Sequence, residues 1–461
     1  MTLEERPLHK EFGRFVVPSV IAQWVFALYT MVDGMFVARG VGELALAAVN
    51  IAMPFVNFTF ALSLIIAVGT STIVSIYFGQ GNREAANRAY TQNIVTVCIA
   101  SLAVTTLVLL NLRRIALFLG ATPDTLTWVM QYVGTIACFN LAFMISYYFE
   151  ILIKADGRPK MATVMVIIGA VLNCILDYLF VFVIEWGVLG AAVATGLSQL
   201  AVAVVFLVYF LSPKAKLRFA RFRLSPRTSW RTLKLGLPSG ITDFSAGMMI
   251  FLFNHAILTH ISEEAIVSYT IVAYVNTIVV MSMTGVAQGF QPLVSYFYGR
   301  GQRAQCEKLL RWGLITAMAL SVAIMVPTFL AAGPIVSIFI SPEMAALREY
   351  SVQVFRIFSV SFLLLSFNIT FSGYFTAIER EKSSVAISLA RGFLLIALSL
   401  QVLTALFGGA GIWWAPTMSE GLCLVLTFIL VLAYRKSCPR KEADETKLTL
   451  QPKKSSVKLE S

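Results

Sequence analysis

Apolar residues run in stretches near 15–38, 45–78, 90–111, 128–150, 161–184 and 189–211. After a basic connector they resume near 235–258, 265–298, 311–332, 350–374, 384–406 and 411–434. Each stretch can cross a bilayer as a helix, which takes roughly 20 residues. The pattern therefore predicts twelve transmembrane helices. Those at 45–78 and 265–298 exceed one bilayer thickness and should tilt or continue past the interface. Pro18, Pro54, Pro238 and Pro292 interrupt their helices. Interrupted spans are where a membrane bundle bends, and Pro18 is the candidate hinge.

The polar positions between the stretches set the orientation. Basic residues gather on one side: Arg6, Lys10 and Arg14, then Arg83 and Arg88, Lys154, Arg158 and Lys160, the connector from Lys214 to Lys234, Arg300 to Arg311, Arg380, Lys382 and the tail from Arg435. The other side has only Arg39, Arg113, Arg114 and Arg348. Such a bias places the basic side and both termini in the cytoplasm. The chain also repeats itself. Pro18-Ser19 returns as Pro238-Ser239, and Val74-Ser75 with Gly79-x-Gly81-x-Arg83 returns as Val294-Ser295 with Gly299-x-Gly301-x-Arg303, all at one offset. Arg158-x-Lys160 returns as Arg380-x-Lys382 and Gly187-x-x-Gly190 as Gly408-x-x-Gly411 at nearly the same offset. Six spans per half, an even number, make the repeats parallel and relate them by a pseudo-two-fold along the membrane normal.

The expected fold is thus an all-α integral membrane protein of two six-helix lobes. Its divisions are an N-terminal segment (1–14), an N-lobe (15–211), the connector (212–234), a C-lobe (235–434) and a tail (435–461). A cleft between such lobes is a natural solute pathway.

The Gly79-Gln80-Gly81 and Gly299-Arg300-Gly301 turns, Val32-Asp33-Gly34 with Arg39, and Leu172-Asn173-x-x-x-Asp177 resemble the multidrug and toxic-compound extrusion family over about residues 10–435. Within it the chain is most similar to the branch with a cation site in the N-lobe. The resemblance implies a V-shaped pair of lobes and an outward-directed antiporter driven by sodium or protons. It also implies a plasma membrane location, the inner membrane in a bacterium.

Composition narrows the alternatives. Of 461 residues, 58% are apolar and 13% charged, so the bilayer is the solvent. The net charge of +12 lies in short loops, where positive-inside topology accounts for it better than a nucleic-acid partner does. Cys98, Cys138, Cys174, Cys306, Cys423 and Cys438 have no paired spacing and read as free thiols. The first apolar run follows a charged segment with no small-residue cleavage site, so it reads as an uncleaved helix. The polar tail reads as a solvated segment.

Within the membrane, Asp177 stands out. A carboxylate at depth costs about 2.5 kcal/mol or more and needs a partner or a purpose. Asn173 precedes it by four residues, so both face one side of a helix. Counting about 1.5 Å of rise per residue, Asp33, Asn173, Asp177 and Thr195 all fall in the outer half of the bilayer. Two carboxylates, an amide oxygen and a hydroxyl suit a small cation. Close carboxylates disfavour double ionisation, so a proton is also a workable ligand. The family resemblance implies a cation site at the same four positions. H+ or Na+ is the expected coupling ion, with no other metal and no cofactor.

Glu150 lies near the cytoplasmic end of its span with Lys154 four residues on, which predicts an interfacial ion pair. In the second half, depth counting places Asp243 with Arg391 in the inner half and Arg356 with Glu420 in the outer half. Met31, Met248, Met249, Phe251, Phe253, Met281, Met283 and Gln288 are candidates for the substrate pathway, because flexible or flat apolar groups suit varied ligands. GxxxxGK[ST], HExxH and GxSxG are absent and the three histidines form no cluster, so neither ATP hydrolysis nor an enzyme is expected. The reading is a monomeric exporter of amphipathic, often cationic, organic compounds. A flippase for a lipid-linked or biosynthetic product is the alternative.

Overall fold

The computed structural model describes residues 7–437. Arg6, Cys438 and most of the tail lie outside the described residues. Every regular element among those described is a helix. The N-lobe contains α1 (Leu8–Gly40), α2 (Glu43–Gly79), α3 (Arg83–Leu110), the short α4 (Leu112–Phe118), α5 (Leu126–Ala155), α6 (Pro159–Asp177) and α7 (Gly187–Leu211). The C-lobe repeats the order with α8 (Pro226–His260), α9 (Ala265–Gly299), α10 (Arg303–Leu330), the short α11 (Ala332–Phe339), α12 (Ala345–Ser359) with α13 (Ser361–Ala377), α14 (Glu381–Leu389) with α15 (Leu395–Phe407), and α16 (Gly411–Ser437). Each lobe thus crosses the membrane six times. The last apolar run, Glu381–Lys436, makes two of these passes by folding back at Gly408, whose φ is +59°. The repeated glycine turns are alike in backbone too. Gly81 and Gly301 sit at φ +76° and +75°, the left-handed conformation that ends a helix without Cβ strain.

Two passes contain π-helical turns, Tyr178–Val183 directly after Asp177 and Ala390–Leu394 around Arg391. Such bulges insert a residue and re-aim the side chains beside them. Helix α8 begins within the stretch taken as connector. Pro226 occupies its first turn and the Ser225 hydroxyl accepts from the Thr228 amide at 3.4 Å, a start signal that outweighs the polar composition of 226–234. The remaining strap, 212–225, is fastened to the N-lobe. Asn87 Oδ1 and Thr91 Oγ1 accept from the amides of Arg218 and Ala220, each at 3.0 Å, and Gln92 Nε2 donates to Ser225 O at 2.8 Å. Asp156 Oδ1 accepts from the amides of Lys216 and Leu217 at 2.9 and 2.7 Å.

The lobes pack closely in their basic halves. On α8, a β-carbon at Gly236 would lie 1.7 Å from the Ile65 carbonyl oxygen of α2, and one at Gly240 would lie 2.4 Å from the Ile65 side chain. Helices α1 and α9 meet likewise, with Gly289 backed against Val16. Contact along that seam reaches mid-membrane, where Trp24 Nε1 donates to Ser282 Oγ at 2.8 Å. Farther along the same helices, Leu28, Met31 and Met35 on α1 and Ile250 and Phe251 on α8 are exposed. Large apolar side chains such as Leu102, Leu211 and Leu330 point outward, as bilayer contact requires.

Candidate functional site

The N-lobe holds two apolar clusters. One, around Leu64, Phe149 and Phe206, fills the basic half; the other, around Val37, Val49 and Val181, fills the opposite half. Asp33, Asn173, Asp177 and Thr195 sit in the polar layer between them, 7%, 1%, 0% and 8% exposed. Small residues permit this closeness. A β-carbon on Gly196 would strike the Phe139 ring at 2.3 Å, and one on Gly169 would meet Val202 at 2.9 Å.

Helix α6 aims Asn173 and Asp177 at α1 and α7. Asn173 Nδ2 donates to Thr195 Oγ1 at 3.4 Å, and the Thr195 hydroxyl donates to Ala191 O at 2.9 Å. Asp33 approaches from α1, and its carboxyl lies near that of Asp177. Four buried oxygens accept no hydrogen bond from the protein: Asp33 Oδ1, Asn173 Oδ1 and both oxygens of Asp177. Native interiors rarely leave such acceptors orphaned. A small hard cation or a proton satisfies them and removes the cost of like charges in a low dielectric. The structure thus brings together the four residues singled out by depth. Tyr29 and Tyr132, near the same carboxyls, were missed. Tyr29 could have been found, because it precedes Asp33 by four residues on one helix face. Tyr132 enters from α5 and carries no local signal.

Other expectations need correction. Glu150 and Lys154 do pair, at 3.0 Å, yet not at a water interface. The Lys154 side chain is 1% exposed, because α9 covers it, and its Nζ lies 3.4 Å from Gln288 Oε1 of the other lobe. Gln23 Nε2 reaches the same oxygen at 3.3 Å, so Gln288 is a seam residue. In the C-lobe, Arg391 pairs with Glu420 at 3.0 Å rather than with Asp243. Each sits nine or ten residues into its helix, hence about 15 Å deep from opposite faces, so both lie near the midplane. Arg356 instead lies over the Phe329 ring and donates to Phe329 O at 3.2 Å. Phe253 and Met283 are fully buried in the C-lobe core, Phe253 stacked on Tyr269 at 4.8 Å, which removes both from a solute path. Met31 and Phe251 are exposed, while Met248, Met249 and Met281 are half-buried. Pro18 stays within a continuous α1, and its carbonyl accepts from Thr163 Oγ1 at 2.6 Å.

The family model MatE matches residues 18–179 and 241–403, one segment in each lobe. The chain belongs to the MatE family. Among curated MatE relatives, "Multidrug export protein MepA" of Staphylococcus aureus is 22% identical over 434 residues, covering 94% of this chain and 95% of that protein. The protein of the same name from Staphylococcus saprophyticus matches to the same extent. Solved structures share the fold at 20% identity. A MATE in complex with MaL6 superposes with a TM-score of 0.87, covering 92% of this chain and 96% of that one. The outward-facing conformation of a multidrug resistance MATE family transporter gives 0.87, covering 92% and 95%. A MOP superfamily transporter from Pyrococcus furiosus gives 0.86 over the same shares.

Proposed function

We propose that this chain is a multidrug efflux antiporter, not an enzyme, which exports amphipathic and often cationic organic compounds in exchange for H+ or Na+. The observation that carries the reading is the set of four buried, unpartnered oxygens on Asp33, Asn173 and Asp177. The names of the staphylococcal relatives, multidrug export proteins, support the drug-export part of the reading. The basic ends of the helices face the cytoplasm, with both termini there, in the plasma membrane. The lobes are then closed toward the cytoplasm and open outward, the arrangement from which substrate leaves.

In this reading Asp33 and Asp177 hold the coupling ion, Asn173 and Thr195 complete the oxygen set, and α1 flexes at Pro18. Proline removes one backbone donor from the helix ladder, which lowers the cost of bending there. Ion and substrate favour different arrangements of the N-lobe, so each weakens binding of the other by the same factor. Substrate affinity of the purified protein should therefore fall as pH drops or sodium rises. That dependence should vanish in Asp33→Asn/Asp177→Asn. An ion dependence that persists in the double variant would exclude these carboxylates as the coupling site.

A further inference from the structure

The repeat that relates the lobes also relates their cavities. Gly169, Ser198 and Gln199 line an N-lobe cavity of about 470 Å³, and their counterparts Arg391, Ser419 and Glu420 line a C-lobe cavity of about 550 Å³. The linings otherwise diverge. Phe26, Tyr29 and Phe60 give way to Ala246, Met249 and Val280 at the offset of the glycine turns. The C-lobe thus exchanges three rings for aliphatic groups and a glycine for an arginine.

Packing does not demand an ion pair here, because the N-lobe fills the same two places with Gly169 and Gln199. Charges at mid-membrane are costly even when paired, so the C-lobe pair needs a purpose. Arg391 sits in the π-helical turn Ala390–Leu394, which re-aims its side chain. Gly392 lets that turn press on α8, where a β-carbon would lie 2.5 Å from Ser245. A guanidinium has five N–H donors. Arg391 gives Nε and Nη2 to one Glu420 oxygen, and its Nη1 has no acceptor among the described residues. The Asn276 amide and the Ser419 hydroxyl line the same cavity and are likewise uncommitted there. Glu420 has no free oxygen to offer, since Asn368 Nδ2 donates to the second one at 2.7 Å. Open donors therefore surround this cavity, the opposite of the orphaned acceptors in the N-lobe.

Open donors around a guanidinium are the chemistry that recognises a carboxylate. The Arg391–Glu420 pair is neutral as a whole, so a bare anion would leave net negative charge in a low dielectric. A zwitterion brings its own compensating charge. We infer that the C-lobe cavity is a subsite for the carboxylate of a zwitterionic amphiphile, held by Arg391 Nη1, Asn276 and Ser419. Met249 and Val280 offer apolar surface to the part of the ligand next to that group. This rests on the export reading above and adds a substrate class that the N-lobe ion site does not serve.

The test uses purified full-length protein and two dyes that share one chromophore: rhodamine 110, which has a free carboxylate, and rhodamine 123, its methyl ester. Arg391→Met/Glu420→Leu removes the guanidinium without stranding a charge. It should weaken rhodamine 110 binding by about tenfold to a hundredfold, the range for hydrogen bonds to a charged group, and leave rhodamine 123 within about threefold. Asn276→Ala keeps the ion pair and should weaken rhodamine 110 by about threefold to tenfold while sparing the ester. Equal weakening of both dyes would mean a packing role and overturn the inference. Unchanged rhodamine 110 binding in the folded double replacement would overturn it too, as would a wild-type protein that does not bind rhodamine 110. Ion-driven flux in proteoliposomes separates the two readings. No flux of either dye by the wild type sinks the export reading, whereas flux of rhodamine 123 without rhodamine 110 sinks only the subsite.

Discussion

In the N-lobe, Asp177 is fully buried with neither oxygen hydrogen-bonded by the protein; in the C-lobe, Glu420 is saturated. Arg391 reaches one Glu420 oxygen through both Nη2 and Nε, at 3.0 and 3.1 Å. Asn368 Nδ2 donates to the other at 2.7 Å, and Thr427 Oγ1 holds the Asn368 carbonyl at 3.1 Å. The two environments descend from one repeat. By the offsets that align the glycine and arginine motifs, Asp33, Asn173, Asp177 and Thr195 correspond to Phe253, Leu395, Ser399 and Pro416. Arg391 and Glu420 correspond to Gly169 and Gln199. The C-lobe thus has no charged residue at the positions that correspond to the proposed ion site. It carries a fixed cation instead, beside a cavity of about 550 Å³. A lobe with its own counter-ion gains nothing from binding another, which is why the proposed ion exchange is placed in the N-lobe.

The sharpest way to break that assignment is to neutralise one acid in each lobe. Asp177→Asn should lower ion-coupled dye export by about a hundredfold or more, the scale of losing one charge of a buried set. The protein should remain folded, because the change relieves like-charge repulsion. Normal export by a well-expressed variant would remove Asp177 from coupling. Glu420→Gln should do the reverse. It strands a buried guanidinium and should cost about 3–5 kcal/mol of stability, seen as a lower melting temperature, while export per folded molecule persists. Replacing both partners with Arg391→Met and Glu420→Leu should recover most of that stability. Loss of ion coupling in the double replacement would give the C-lobe pair a part in coupling.

The smallest effect concerns the strap, which the N-lobe holds through Asn87, Thr91, Gln92 and Asp156. Burial raises the Asp156 carboxyl above its ordinary range, against the hydrogen bonds from Tyr209, Leu217 and Lys216 that pull it down. A carboxyl raised in the folded state contributes stability that is complete below its unfolded value and fades as pH rises through the folded one. Amides in 212–225 should therefore be better protected at mildly acidic than at neutral pH, after correction for intrinsic exchange. Asp156→Asn should flatten that trend. Protection that is independent of pH in the unaltered protein would rule out Asp156 as the strap's titrating anchor.

Much of this was legible in the chain. Hydrocarbon leaves backbone groups no partner but their own helix, so apolar length alone fixed twelve passes. The recurring glycine turns exposed the two lobes, and the cost of a buried acid marked Asp177 beside Asn173. Depth along a helix then sufficed to group four site residues, because rise per residue is nearly constant. The tertiary structure alone decided direction around each helix and tilt across the membrane. Those set Arg391 against Glu420 rather than Asp243, sank Phe253 and Met283 into the core, and brought Tyr132 to the carboxyls. Only the packing of α9 over α5 turned the Glu150–Lys154 pair into part of a lobe seam. Pairing at close range depends on where neighbouring helices bring their side chains, and one-dimensional spacing does not carry that information.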